Sequence, residues 1–202
     1  HPSCGTEYGQ EVLAWQYATS DTGVTLFLRK KYGSTADLYC LRDYKLDTLL
    51  NMRSPHVSFF DGTIHLAWVS QKEEKVGNDA LIHDKAAYML WDFPSGPDSI
   101  GVTTFFNRKF NRDETTVDPV VIASGDRHKP DSTLAWIMWS VNDPLTGEGA
   151  RLRSNELVSY ADSQYAGWGQ DHEIHGISSF VTRHPQVLLL GDTVLYSITK
   201  DN

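Results

Sequence analysis

The chain has 202 residues, a net charge of −8 and 40% hydrophobic residues. A chain of this length buries about 70% of its unfolded surface and folds without disulfide or metal staples. The acidic balance argues against nucleic acid and anionic membrane surfaces as partners, since both select basic patches. The longest apolar runs, residues 86–91 and 134–139, are far shorter than the roughly 18 residues of a membrane-spanning helix. We therefore expect one domain, residues 1–202, without membrane insertion.

Short runs rich in β-branched and aromatic residues, bounded by Gly, Pro or Asp, predict strands along most of the chain. In chain order these runs are residues 25–28, 57–60, 103–106, 120–122 and 187–190. An Asp-Gly-Thr turn at residues 61–63 predicts a hairpin around it. Residues 38–50 fit a helix, and they fit a strand followed by a turn nearly as well.

The tripeptide Leu-Ala-Trp occurs three times and ends at Trp15, Trp68 and Trp136. A Pro-x-Val segment precedes the later two copies and a related strand near the end of the chain, with prolines at positions 55, 119 and 185. These prolines are 64 and 66 residues apart. A fixed long period indicates a repeat architecture. The sequence therefore predicts an all-β fold of antiparallel hairpin repeats of about 65 residues.

A second self-similarity gives a competing alignment of the first repeat. Residues 12–31 and residues 88–109 both read as an aromatic strand, an Asp/Gly turn and a strand that ends in basic residues. In that alignment Trp15 corresponds to Trp91, whereas in the first it corresponds to Trp68. Both alignments predict antiparallel hairpins, and the sequence does not decide between them.

The repeated segments resemble the blades of sialidase-like and lectin-like β-propellers. Pro-x-Val, an Asp-Gly-Thr turn and a Leu-Ala-Trp strand look like the two inner strands of a blade. Residues 19–26 fit that family's Asp-box except for Leu26 at its last place. The resemblance implies a propeller-like fold and recognition of a glycan or a receptor. Three units make only half of a six-bladed ring, so a chain that pairs with itself, a piece of a longer ring, and a β-barrel or sandwich like a viral coat spike domain all stay open.

The start of the chain and its two cysteines bear on where the protein works. The chain begins at His1 rather than at Met, which favours processing from a longer precursor. Cys4 and Cys40 are the only cysteines; in a secreted chain they would form one disulfide, and in a cytosolic chain they would be two small apolar residues. We expect an extracellular protein or one on a virion surface.

The histidines suggest two possible metal sites, one at the start of the chain and one at an H-x-x-H pair. An N-terminal His1, with a second histidine, could bind copper as in lytic polysaccharide monooxygenases, because Cu(II) favours nitrogen ligands in a square arrangement. Nothing distinguishes one candidate for the second ligand among His56, His65, His128, His172, His175 and His184. His172 and His175 form an H-x-x-H pair, but in a strand their side chains point to opposite faces, which disfavours a metal site. We expect no metal and no cofactor.

A sialidase-like hydrolase would need three arginines that converge on a carboxylate, because the guanidinium fork binds that anion in a bidentate way. The candidate arginines are Arg29, Arg53, Arg108 and Arg153, and Tyr160 is a candidate nucleophile. The chain is about half the length of the catalytic propellers it resembles. We therefore assign no catalytic residue, and keep glycan-active enzymes, either copper-dependent or hydrolytic, as the alternative.

Recognition is the function that the aromatic residues favour. Sugar rings stack on aromatic faces while their hydroxyls bond to planar polar groups. The segment 165–169 places aromatic residues among glycines, outside the regular strands. The predicted ligand-binding residues are Tyr165, Trp168, Asp162, Asp171, Arg183 and Trp91. We expect a non-catalytic domain that binds a glycan or a cell-surface receptor as a homo-oligomer, most simply a dimer; a structural assembly module such as a capsid spike is the other alternative.

Overall fold

The computed structural model describes the chain in segments. They are residues 2–7, 9–19, 23–40, 49–60, 63–76, 79–92, 101–105, 115–123, 133–142, 151–159, 166–169, 172–173, 181–190 and 193–201. Within these segments all regular structure is β-strand, which confirms the predicted all-β class. A helix was one prediction for residues 38–50. Residues 38–40 and 49–50, which are described, are strand, so the helix is wrong for those positions. A search of the described residues for a helix long and apolar enough to cross a membrane finds none.

The strands form four antiparallel sheets that follow one another along the chain. Sheet I contains β1 (Ser3–Glu7), β2 (Gln10–Thr19), β3 (Gly23–Tyr32) and β4 (Thr35–Cys40). Sheet II contains β5 (Leu49–Phe60), β6 (Thr63–Val76), β7 (Asp79–Asp92) and β8 (Gly101–Phe105). Sheet III contains β9 (Thr115–Ala123), β10 (Thr133–Asn142), β11 (Arg151–Ser159), β12 (Ala166–Trp168) and β13 (His172–Glu173). Sheet IV contains β14 (Val181–Leu190) and β15 (Thr193–Asp201).

Strand neighbours in each sheet are also neighbours in sequence, apart from β13, which pairs with β11 as β12 does. Short connections favour this arrangement, since antiparallel strands can be joined by two-residue turns. The predicted antiparallel hairpin repeats are therefore confirmed. In the described part of the chain the sheets are open, and none closes into the barrel that was considered as an alternative.

The sheets stack face to face, and sheet II is buried on both faces. Toward sheet I, Leu66 and Trp68 pack with Val12 and Ala14 in one hydrophobic cluster. Toward sheet III, the intervening Ala67 belongs to a second cluster. Successive side chains of a strand point to opposite faces, so a strand covered on both sides is apolar at nearly every position. This explains why residues 63–70 are all buried.

Each repeated proline marks a β-bulge in the first strand of its sheet. The pairing register shifts between Arg53 and His56 in β5, between Val117 and Val120 in β9, and between Arg183 and Gln186 in β14. In each case the proline and the residue before it together face one residue of the next strand. Proline has no N–H to give to a ladder, so it is tolerated where the ladder is interrupted.

The strand register decides between the two sequence alignments. In sheet I, Pro2 precedes β1, and the residue after it, Ser3, pairs with Ala14. In sheet II, the residue after Pro55, His56, pairs with Ala67. Trp15 and Trp68 directly follow these alanines on second strands, so they are equivalent; Trp91 lies on a third strand. The equivalence of Trp15 with Trp68 therefore holds.

The third Leu-Ala-Trp copy is displaced from its expected position. In sheet III the residue after the proline, Val120, pairs with Met138 rather than with Ala135. Trp139 therefore takes the position of Trp68, and both are 0% exposed. Trp136 is only half-buried. The connection between β9 and β10 is longer than the two-residue connections between the first and second strands of the other sheets. The extra length moves the tripeptide along the second strand.

Hydrogen bonds join the first strands of successive sheets at equivalent positions. Ser3 Oγ accepts a hydrogen bond from the amide of Val57, at 2.9 Å. His56 Nδ1 accepts one from the amide of Val121, at 3.2 Å. In both bonds, the side chain directly after one proline accepts from the backbone amide that lies two residues after the next repeated proline. β1, β5 and β9 therefore lie side by side with their prolines in register.

The two cysteines do not form the disulfide that was considered. Both carry thiols, Cys4 on β1 and Cys40 on β4. These are the two edge strands of sheet I. Three interstrand steps separate them by about 14 Å, whereas a disulfide needs Cα atoms within about 7 Å.

Candidate functional site

The sequence-predicted site falls mainly outside the described residues. Tyr165, Asp162 and Asp171 lie outside them. The other three residues lie on β7, β12 and β14, in three different sheets; they are Trp91, Trp168 and Arg183. That these six residues form one ligand site stays a prediction.

A different group of residues is placed together by the fold. Ser54, Asp118 and His184 each precede a bulge proline on the first strand of their sheet. Because the hydrogen bonds between first strands keep the prolines in register, Ser54 and Asp118 occupy corresponding positions on adjacent strands. β14 contacts β9 in turn, and His184 holds the same position ahead of its own bulge proline. These three residues are the pre-proline site.

Two arginines flank this site. Arg53 and Arg183 both stand two residues before their prolines, each at the last paired position ahead of the bulge. One residue of the sequence-predicted site, Arg183, therefore belongs to this row. A hydroxyl, a carboxylate, an imidazole and two guanidinium groups are hydrogen-bonding groups of the kind that bind sugar hydroxyls and acidic substituents.

The backbone of β5 is strained at the site. Asn51 and Ser54 have φ angles of 48° and 52°, in the left-handed region that L-residues other than Asn and Asp rarely adopt. Hydrogen bonds hold both positions: Asn51 Nδ2 donates to Gln71 Oε1 at 2.6 Å, and the Ser54 amide donates to Gln16 Oε1 at 3.1 Å. Strained residues and bulges cluster at functional sites, where they direct a side chain.

The imidazole that follows Pro55 bonds to the neighbouring sheet. Burial lowers the pKa of His56, which directly follows Pro55. Its Nδ1 accepts the Val121 amide proton, so Nε2 carries the ring proton in the neutral form. Deeper between sheets II and III, His65 Nδ1 lies 2.7 Å from the Tyr88 hydroxyl. Burial raises the pKa of Tyr88 well above its ordinary value, so this phenol stays protonated.

The described arginines considered for a sialidase lie on strands of three different sheets. Arg29, Arg53 and Arg153 lie on β3, β5 and β11, and only β5 is a first strand. Arg108 lies outside the described residues. Among the described residues, no group of three His, Cys, Asp or Glu side chains is arranged to hold a metal ion. His1 and His175 lie outside the described part, so the copper and H-x-x-H hypotheses stay untested.

The sequence carries a signal for the pre-proline site. The proline and the valine two residues after it recur, while the residue just before the proline changes among Ser, Asp and His and the residue just after it among His, Val and Gln. Polar positions that vary beside a recurring frame are typical of a binding surface built on a repeat. Pro2, preceded by His1, belongs to the same series, and only the register of β1 revealed it.

Comparison with known proteins gives a likeness of fold. No family model and no curated protein sequence matches the chain. Among solved structures, the chain is similar to Zg3597, a family 117 glycoside hydrolase produced by the marine bacterium Zobellia galactanivorans. The TM-score is 0.50 at 12% sequence identity, over 99% of this chain and 62% of that chain. At this identity the likeness shows the fold alone, and the chain spans less than two thirds of the hydrolase's length.

Proposed function

We propose that this chain is a carbohydrate-recognition domain that binds a glycan at the pre-proline site. The observation that carries the proposal is the row of equivalent bulges, which brings Ser54, Asp118 and His184 to corresponding positions on neighbouring first strands. Polar groups at the variable position of a rigid repeated frame are what a ligand with many hydroxyls needs, because each hydroxyl must meet a directed donor or acceptor.

The structural likeness to a glycoside hydrolase supports a glycan as the ligand class. Arg53 and Arg183 place two positive charges next to Ser54 and His184 along the chain, although the net charge of the whole chain is −8. A sugar that carries a carboxylate or a sulfate would gain charge-assisted hydrogen bonds from them, roughly twice as strong as neutral ones. We therefore favour an acidic glycan over a neutral one.

A glycan array with the purified chain, followed by titration calorimetry on the best ligand, tests this proposal. We expect Asp118→Asn and His184→Ala each to weaken binding by at least about tenfold, about 1.4 kcal/mol. Glu11→Gln is the matched control, since this carboxylate lies on sheet I in an exposed ion pair, and it should leave affinity unchanged. Circular dichroism would show that the variants are folded. An array without any bound glycan, or unchanged affinity in both site variants, would refute the proposal.

The same titrations decide between the two candidate sites. Trp168→Ala tests the aromatic segment that the sequence favoured. If it abolishes binding while Asp118→Asn does not, the glycan lies on the aromatic segment and the pre-proline site is wrong.

Glycoside hydrolysis is the second candidate, favoured by the carboxylate of Asp118 in the row and by the hydrolase likeness. Most glycosidases need two carboxyl groups, about 5–5.5 Å apart for retention or about 6.5–9.5 Å apart for inversion. Asp118 is the one carboxylate among the three pre-proline residues, which favours binding over hydrolysis. Release of reducing ends from a bound glycan by the wild type, lost in Asp118→Asn, would establish the hydrolase instead.

A further inference from the structure

Gln16 reaches from sheet I to the pre-proline site. It lies on β2, which contacts β5, and its Oε1 accepts a hydrogen bond from the amide of Ser54 at 3.1 Å. Ser54 and Pro55 form the bulge between the paired residues Arg53 and His56. A bulge and a left-handed φ of 52° at Ser54 take its backbone out of strand geometry, so the Ser54 amide has its partner in sheet I.

This hydrogen bond determines which end of the Gln16 side chain faces the Ser54 backbone. A backbone amide can only donate, so the atom that faces it is the side-chain oxygen, and Nε2 forms the other end of the planar amide group. Nε2 carries two N–H donors. Because the oxygen is held by Ser54, these donors have a set direction beside the pre-proline site.

The donors of Gln16 are open to a ligand. Gln16 is exposed, while Ser54 is half-buried. Within the described part of the chain, Gln16 makes no hydrogen bond besides the one to Ser54. A few well-oriented polar groups give a binding site its specificity, and an amide that is fixed at its oxygen and presents its N–H groups is such a group.

Gln16 also supplies what the acidic member of the row lacks. Asp118, at the position on β9 that corresponds to Ser54, is a carboxylate when ionised and can then only accept hydrogen bonds. Gln16, with its oxygen already bonded, can only donate. A glycan hydroxyl that donates therefore suits Asp118, whereas an acidic substituent, which only accepts, suits Gln16.

We propose that Gln16 is a ligand-binding residue, which donates hydrogen bonds from Nε2 to the acidic substituent of a glycan bound at the pre-proline site. The inference rests on the proposed function and adds an orientation to it. The acidic substituent lies toward sheet I, and the hydroxyls of the same glycan lie along the row toward Asp118.

Gln16→Glu tests the two ends of the amide separately. Its carboxylate still accepts from the Ser54 amide, but it has no donor for the glycan. Titration calorimetry with oligogalacturonate and dextran sulfate, which carry carboxylates and sulfates, measures the effect. We expect Gln16→Glu to weaken binding at least about tenfold, as for a lost hydrogen bond to an ionised group, at an unchanged melting temperature.

Ala18→Glu is the matched control for the added charge. Ala18 is exposed and lies on the same face of β2, about 7 Å along the strand from Gln16. Repulsion between exposed charges is screened by about 0.5 M salt, where Ala18→Glu should bind within about twofold of the wild type while the loss in Gln16→Glu persists. Equal weakening in the two variants would mean that charge alone acts, and would overturn the inference.

Hydrogen exchange of the Ser54 amide, followed by NMR, reports on the oxygen end of Gln16 without a glycan. Exchange should be as slow in Gln16→Glu as in the wild type and faster in Gln16→Ala, which lacks the acceptor. Equal exchange in all three proteins would overturn the assigned orientation of Gln16.

The outcomes separate this inference from the proposed function. A wild type that binds no glycan on the array refutes the proposed function, and the role of Gln16 falls with it. A wild type that binds other glycans but neither acidic probe overturns the inference alone. So does binding of an acidic probe that Asp118→Asn weakens and Gln16→Glu leaves unchanged.

Discussion

Nδ1 of His56 lies 3.2 Å from the amide nitrogen of Val121 and accepts its proton. This contact joins the first strand of sheet II, β5, to that of sheet III, β9. It also requires that Nδ1 be unprotonated, so the packing of two sheets is linked to the charge of one imidazole.

His56 should make the fold sensitive to acid. Burial lowers its pKa below the ordinary value of 6.5, so between the lowered pKa and 6.5 the unfolded chain binds more protons than the folded one. The stabilisation is complete above pH 6.5 and is lost as the pH falls through this window. His56→Asn keeps an acceptor near the position of Nδ1 and does not titrate.

Urea unfolding at pH 7.5 and at pH 5 measures this linkage. His56→Asn should lose less stability than the wild type on acidification, whereas His56→Ala should be less stable by about 1–3 kcal/mol at pH 7.5 because the Val121 amide loses its acceptor. Identical pH dependence of the wild type and His56→Asn would show that another group governs the acid response.

Trp68 combines full burial with an unsatisfied indole. It is 0% exposed, and among the described residues its Nε1 has no hydrogen-bond acceptor. An orphaned buried donor costs about 1–3 kcal/mol. Trp68→Phe removes that donor and only part of the ring, so we expect the free energy of unfolding to change by less than about 1 kcal/mol. Trp68→Ala, which empties the position between sheets I and II, should cost about 3–5 kcal/mol. Equal losses in thermal unfolding of the two variants would mean that the indole N–H is satisfied.

The sequence predicted the class and the repeat well because both depend on local patterns. Proline, a turn and an apolar strand carry their geometry within about a dozen residues, so the first strands β5, β9 and β14 were identifiable one by one, whereas β1 was not. The positions of Trp136 and Trp139 were not predictable, because they depend on the length of the connection ahead of β10. Likewise, the row of Ser54, Asp118 and His184 arises only when first strands of different sheets lie together in register, which no local pattern encodes.

Lys30 is a buried lysine on the inner face of sheet I. The residue is 3% exposed, and Nζ lies 5.6 Å from the centre of the Tyr39 ring. Burial lowers the pKa of Lys30, while the nearby Asp37 carboxylate acts to raise it. Since the folded pKa is below 10.5, the protonated amine costs stability at neutral pH, and this cost disappears as the pH rises from the lowered pKa to 10.5.

Replacement of Lys30 by Met should therefore leave the protein equally stable or more stable, by up to about 1 kcal/mol at pH 7, and should flatten the rise of stability at alkaline pH. Lys31→Met is the matched control: Lys31 makes an exposed ion pair with Glu11 at 3.4 Å, and its loss should change stability by less than about 0.5 kcal/mol. A loss of more than about 2 kcal/mol in Lys30→Met would contradict the assignment, since it would mean that the charge stabilises sheet I.

The strained backbone of Ser54 predicts effects on both the free energy of unfolding and glycan binding. Its φ of 52° costs an L-residue about 1–2 kcal/mol, and glycine adopts this conformation freely at an entropic cost of about 0.5–1 kcal/mol. Ser54→Gly should thus raise the free energy of unfolding by about 0.5–1 kcal/mol. Ser58→Gly, on the same strand and without a positive φ, should lower it by about as much. If the strain serves the pre-proline site, Ser54→Gly should also bind the glycan more weakly, because it removes the hydroxyl and frees the backbone that directs the row. Chemical denaturation and calorimetry on the same two variants measure both effects, and a Ser54→Gly protein that is less stable than the wild type would show that the hydroxyl, rather than the backbone geometry, governs this position.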